Sequence, residues 1–247
     1  MKKILVLNGS PKRDKSFTMT VTRAFVSGLE QETQSTAEYI NISDLNVTPC
    51  LGCLSCWGRT AGECVIKGDD IPMLKSKLKE ADLIIGSFPL FFFGLPGTLK
   101  VVTDRLLGML ATYRGMMPEE SDTAHRLRDP KDGQRIVLIS SCGFSESAAV
   151  FEPLKAQFDL ILGKDGYTMI CCPELKALID TGKERKLPMY LSKVENAGRS
   201  LAREGVLGAG TVAELSKPPF SPNTYRILTE NFWKEQEGSV INGKNSG

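Results

Sequence analysis

An apolar run, Ile4-Leu5-Val6-Leu7, breaks without transition into Asn8-Gly9-Ser10-Pro11-Lys12-Arg13-Asp14-Lys15-Ser16-Phe17-Thr18, and no other stretch constrains the fold as strongly. A short unbroken apolar run bounded by turn residues is the pattern of a strand covered on both faces, as parallel sheets require. Beyond the turn, apolar residues recur at Val21, Ala24, Phe25, Gly28 and Leu29, one face of a helix. A strand, a hydroxyl-rich turn and a helix N-terminus aim free backbone N–H groups and the positive end of the helix dipole at one spot. Ser10, Ser16 and Thr18 add donors and Lys12 a charge, so the segment reads as a phosphate site. The competing reading is an ordinary Gly-Ser-Pro turn in which Ser16 or Thr18 only caps the helix. Neither G-x-x-x-x-G-K-[ST] nor G-x-G-x-x-G is present, which disfavours a nucleoside triphosphatase and a dinucleotide-type first turn. A mononucleotide phosphate held by hydroxyls remains.

The same alternation continues along the 247 residues. Strand-like runs fall at 3–8, 37–42, 82–87, 135–141 and 167–172, separated by helical patterns at 16–30, 70–81, 97–111 and 147–162. Such alternation predicts an α/β fold, a parallel sheet with helices on both faces. Right-handed crossovers leave few topologies, and the five-stranded flavodoxin-like order, a three-layer sandwich, is the simplest. The chain reads as one domain over 1–247, with a Cys-rich insertion at 43–68 and a polar loop at 112–134. A helical C-terminal extension over 174–234, with patterns at 188–204, 209–216 and 222–235, is expected to cover the core or build a subunit interface. From Glu235 onward the chain is polar and reads as a frayed end.

Charge decides against several partners. Lys plus Arg number 31 against 29 Asp plus Glu, so no basic face for nucleic acid is implied. The longest uncharged stretch, 83–99, is broken by Gly86, Pro89, Gly94, Pro96 and Gly97, and reads as strand, turn and helix start, not a membrane span. Met1-Lys2-Lys3 and four apolar residues make no signal peptide, so a cytoplasmic protein with reduced thiols is expected from its seven cysteines.

Open α/β sheets bind ligands outside the carboxyl ends of their strands. Three such ends stand out: the Ser10 to Thr18 turn; Ser87-Phe88-Pro89-Leu90-Phe91-Phe92-Phe93-Gly94 and on to Gly97; and Ser140-Ser141-Cys142-Gly143-Phe144. An apolar aromatic loop beside a phosphate turn suits a flat ring system with a phosphate tail. Core packing is the alternative for Phe91, Phe92 and Phe93. Three successive aromatics do not share one side of a regular element, however, so at least one is expected at the surface.

Gly-Ser-Pro-Lys with Ser16-x-Thr18, the Cys-rich segment, Gly68-Asp69-Asp70, Ala81 to Ile85, and Pro89 through Lys100 with Asp104-Arg105 together resemble the FMN-dependent NAD(P)H oxidoreductases of the flavodoxin-like superfamily. The branch they resemble most includes the iron–sulfur flavoproteins. The resemblance spans about 3–145. It implies FMN, with Ser10, Pro11, Lys12, Ser16, Phe17 and Thr18 about the phosphate. The ring would lie against Pro89, Leu90, Phe91, Phe92, Phe93 and Gly94, and against Ser141, Cys142 and Gly143. It also implies NAD(P)H as co-substrate, a quinone, azo or nitro acceptor or a redox protein as partner, and a homodimer or homotetramer. Where the family loop more often has Ser-Pro-Val-Tyr, this chain has Phe88-Pro89-Leu90-Phe91, without the tyrosine hydroxyl. No catalytic side chain is required, because FMN carries the reactive atoms. The single histidine, His125, lies in the polar loop and reads as a surface residue.

Cys50-x-x-Cys53-x-x-Cys56, followed by Cys64, leaves three readings open. Four thiolates at this spacing suit a 4Fe–4S cluster, as in the iron–sulfur flavoproteins, passing single electrons to FMN. A structural zinc site is the second reading. In the third the thiols are bare, Gly52 is a backbone requirement and Trp57 an anchor. Cys142, Cys171 and Cys172 read as core or pocket-lining.

Overall fold

The computed structural model describes residues 2–111, 127–145 and 147–243. Along β1 (Ile4–Asn8) successive side chains go to opposite faces, and every one is buried. Ile4 and Val6 enter one apolar core, Leu5 and Leu7 the other. The unbroken apolar run is therefore a strand with two cores, one on each side. β2 (Ala37–Asn41), β3 (Leu83–Pro89), β4 (Arg135–Ser141) and β5 (Thr168–Cys172) join it in an all-parallel sheet of order β2-β1-β3-β4-β5. This is the order expected from the sequence.

Helices α1 (Phe17–Thr33), α5 (Leu175–Thr181) and α6 (Lys186–Glu204) cover the Ile4 and Val6 face. Helices α2 (Ile71–Glu80), α3 (Gly97–Arg105) and α4 (Ser147–Leu162) cover the other. Past α6, α7 (Ala209–Leu215) and α8 (Pro222–Gly243) run along the first layer, where Leu215, Tyr225 and Leu228 join its core. The extension thus packs on the sheet layer through Val194, Ala197 and Leu201.

Helices α1 and α6 meet backbone to backbone. A Cβ on Gly28 would stand 1.9 Å from the Glu195 carbonyl oxygen, and one on Gly198 would stand 2.0 Å from that of Phe25. Only glycine permits that approach.

Two expected bounds change, and one helix was not expected. The helix expected over 97–111 ends at Arg105 and tightens into a 3-10 turn, Leu106–Met109. There the backbone of Gly108 abuts the Gly62 carbonyl, so a Cβ would come within 2.4 Å of it. The Leu107 carbonyl accepts the Trp57 indole N–H at 3.0 Å. The α-helical ladder yields to contacts with the cysteine loop. Helix α5, only seven residues long, had no readable periodicity of its own. Helix α8 continues to Gly243, past the frayed end expected from Glu235, because Gln236 and Glu237 favour helix. Of the 112–134 loop, residues 112–126, His125 among them, lie outside the described residues.

Candidate functional site

The turn after β1 is fixed by its own side chains. Buried Asn8 accepts the Ser10 N–H (3.1 Å) and donates to Asn41 (2.9 Å), while Gly9 N–H donates to the Ser87 carbonyl (2.8 Å). Ser16 stands at the N-cap of α1 without a side-chain cap bond. Thr18 shares a 2.6 Å hydrogen bond with the Ser141 hydroxyl at the end of β4. Neither hydroxyl caps the helix, so the first-turn N–H groups of α1 remain open toward the turn. Ser10, Ser16 and Thr18 are all buried.

These residues form one end of a cleft of about 230 Å³, lined there by Ser10, Lys12, Ser16, Phe17 and Thr18. Pro89, Leu90 and Phe91 from the end of β3 form one wall, and Ser141, Cys142 and Gly143 from the end of β4 another. Two residues that sequence reasoning missed complete it, Leu175 and Lys176 of α5. They follow β5, so the rule that ligands gather at strand carboxyl ends was the one available signal. The ammonium groups of Lys12 and Lys176 lie 5.0 Å and 5.7 Å from the centroid of the Phe17 ring, flanking this end of the cleft with two cations.

Pro11, Phe92, Phe93 and Gly94, expected at the ligand, do not line the cleft. Phe91 and Gly94 exchange both backbone hydrogen bonds (3.1 and 2.9 Å) around a two-residue turn, with Phe92 at φ 48° and Phe93 at φ 64°. Such a primed turn sends the two aromatics outward. Phe92 is 99% exposed, and Phe93 stacks on Phe144 with centroids 5.9 Å apart. Primed turns favour Asn-Gly, and a non-glycine residue in the left-handed region costs about 1–3 kcal/mol. Phe92→Gly, which removes an exposed ring whose ring contact is with Phe93, is expected to raise Tm by about 2–4 °C per kcal/mol of strain relieved. Thermal unfolding checks this.

The β4 loop is tied to the extension. Glu174, fully buried at φ 53°, accepts the Ser145 hydroxyl (2.5 Å) and the Phe220 N–H (3.0 Å). The Tyr225 hydroxyl donates to the Gly143 carbonyl. Burial pushes the Cys142 thiol up, and pushes Cys171 and Cys172 up to about 12. All three stay protonated near neutrality and are inert as nucleophiles.

The cysteine loop lies between β2 and α2. Cys50 and Cys53 are exposed, Cys56 and Cys64 partly buried. Gly52 has φ 65° and Trp57 anchors the loop to Leu107. Hydrogen bonding from Ser55, then the charge of Arg59, draws the Cys53 thiol down. Burial, then the sulfurs of Cys64, Cys50 and Cys53, pushes Cys56 up, so the other three thiols each lie within electrostatic reach of Cys56. Among the described residues, no three Cys, His, Asp or Glu side chains converge to hold a single metal ion.

Behind the loop lies a buried ion pair. Arg105 Nη1 donates to Asp69 Oδ2 and to the Thr48 carbonyl, each at 2.5 Å, and both side chains of the pair are fully shielded. Gly68-Asp69-Asp70 and Asp104-Arg105, separate motifs in the sequence, therefore meet in one contact. Arg105 Nε and Nη2 are buried without a hydrogen-bond partner, and Cys64 lies beside the guanidinium. Unsatisfied buried N–H donors beside the Cys64 thiol fit the donor chemistry of a thiolate-bound iron–sulfur group, whose sulfurs accept hydrogen bonds.

The family model described as flavodoxin-like fold, Flavodoxin_2, matches residues 2–169. An iron–sulfur flavoprotein of Methanocaldococcus jannaschii is 34% identical over 103 residues, 42% of this chain and 51% of the relative. An FMN-dependent NADH:quinone oxidoreductase of Exiguobacterium sp. is 32% identical over 123 residues, 46% of this chain and 58% of the relative. The chain thus spans about half the length of the curated relatives it matches. Among solved structures, an FMN-dependent NADH-azoreductase from Bacillus anthracis in complex with FMN superposes with a TM-score of 0.59. It is 23% identical, covering 81% of this chain and 100% of that one, a likeness of fold.

Proposed function

The chain belongs to the Flavodoxin_2 family of flavodoxin-like folds, and on that premise we propose that it is an FMN-binding, NAD(P)H-dependent oxidoreductase passing electrons to a small organic acceptor of quinone, azo or nitro type. One observation carries the reading: a cleft at the carboxyl ends of β1, β3 and β4 joins an uncapped helix N-terminus to an apolar wall. The relatives described as FMN-dependent support it.

Ser10, Ser16 and Thr18 would donate to the phosphate, with Lys12 and Lys176 compensating its charge. Pro89, Leu90 and Phe91 would pack one side of the ring system, and Cys142 and Gly143 the other. FMN, once bound, supplies the electron transfer between nicotinamide and acceptor. The protein's part is to orient the cofactor, exclude water with Leu90 and Leu175, and keep the neighbouring thiol of Cys142 neutral. Exposed Phe92, Phe93 and Phe144 beside the cleft favour a homodimer or homotetramer, since clustered surface aromatics mark interaction sites. No described helix is long and apolar enough to cross a membrane.

FMN-loaded protein is expected to oxidise NADH or NADPH in the presence of a quinone; a loaded protein that oxidises neither would refute the assignment. Lys12→Ala is expected to weaken FMN binding roughly tenfold or more, the value of a charge-assisted hydrogen bond, as read by flavin fluorescence.

A specific observation favours a second reading, an electron carrier with a 4Fe–4S cluster on Cys50, Cys53, Cys56 and Cys64 next to FMN. It is the buried, half-satisfied Arg105 beside Cys64. Iron and acid-labile sulfide in anaerobically purified protein would support it; their absence after reconstitution would remove it.

A further inference from the structure

We propose that Arg105 is the charge and hydrogen-bond anchor of an iron–sulfur cluster held by the cysteine loop, with Nε and Nη2 reserved for the cluster's sulfurs. The inference rests on the second reading above and names the residue that would set that cluster's stability and potential.

A guanidinium has five N–H donors. Here Asp69 and the Thr48 carbonyl both bind through Nη1, leaving Nε and Nη2 unbonded. The side chain is completely shielded, so bulk water does not serve these donors. Each buried unsatisfied donor costs about 1–3 kcal/mol. A carboxylate can engage a guanidinium fork through two parallel bonds, yet Asp69 takes one end only. Its other oxygen accepts the Ile71 N–H (3.3 Å). The Cys64 thiol lies within hydrogen-bonding reach of the guanidinium.

A 4Fe–4S core on four thiolates is a net anion, and both its thiolate and its inorganic sulfurs accept N–H hydrogen bonds. Hydrogen bonds to those sulfurs raise the reduction potential, because reduction adds negative charge. Asp69 and the Thr48 carbonyl fix the orientation of Arg105, as outer partners of metal ligands commonly do. Arg105 is carried on α3, the helix that follows the aromatic loop of the flavin cleft, so one helix supports both centres.

The test compares wild type with Arg105→Lys, each reconstituted anaerobically with ferrous iron and sulfide. Lysine keeps the charge opposite Asp69 and loses the two open donors. The expected result is about tenfold faster loss of iron to a chelator, the low end of outer-shell effects, and a more negative cluster potential by redox titration. FMN affinity and circular dichroism should match wild type. Should R105K fail to fold, Arg105→Gln combined with Asp69→Asn keeps a neutral hydrogen-bonded pair and is expected to show the same two losses. A cluster equally stable and of equal potential in the variant overturns this inference alone. A wild type that takes up no iron overturns it together with the second reading.

Discussion

Asp69→Ala is expected to destabilise the fold by about 3–5 kcal/mol, the cost of leaving a buried charge without its partner. Arg105 does not shed its proton, and with both side chains shielded solvent does not replace Asp69. At about 2–4 °C per kcal/mol for a chain of this size, the loss is easily read by thermal unfolding. The exposed pair Lys3–Glu80 is the control, and its removal should leave Tm unchanged within error. The same carboxyl carries a pH signature. Burial pushes it up, but the Arg105 hydrogen bond and the Ile71 N–H outweigh burial and hold it below its usual 3.8. A lowered folded-state value means the stabilisation is complete above that ordinary value and disappears as pH falls through the folded one. Wild-type Tm should therefore drop on acidification below about pH 4, with a shallower fall in Asp69→Ala.

Gly198→Ala should be the other severe substitution. The added methyl would lie 2.0 Å from the Phe25 carbonyl oxygen, backbone against backbone, where no rotamer change relieves the clash. Helix α6 must withdraw from α1 and loosen Val194, Ala197 and Leu201 in the core. Overpacking typically costs about 1–3 kcal/mol, and this site belongs at the upper end or beyond. Because α5 and α8 pack in the same layer, Lys176 and the Tyr225 contact to Gly143 would shift too. FMN affinity should fall along with Tm. Gly210→Ala in α7 is the matched control: nothing lies within 4 Å of its added methyl, so alanine should be neutral or gain about 0.5–1 kcal/mol.

The sheet order and the hydroxyl-rich turn at the head of the cleft were legible because local pattern determines them. Ile4 to Leu7 is apolar throughout since both faces of β1 are covered, and the hydroxyl-rich turn follows directly. Lys176 was not legible: it is placed by the packing of a seven-residue helix too short to show a period. Phe92 and Phe93 stand outside the cleft for the opposite reason. Nothing in a Phe-Phe sequence announces a primed turn, a conformation that side chains disfavour and that the surrounding loop imposes. Asp69 and Arg105 were each visible within a motif, but their contact joins segments 36 positions apart and depends on where α3 gives way to a 3-10 turn.

FMN titrated into the purified protein, followed by quenching of flavin fluorescence, tests the central assignment most directly. Saturable quenching at one FMN per chain, weakened in Lys12→Ala, is the expected result. A folded protein that leaves the fluorescence of FMN unquenched would contradict a flavin site in this cleft, and with it the proposed oxidoreductase.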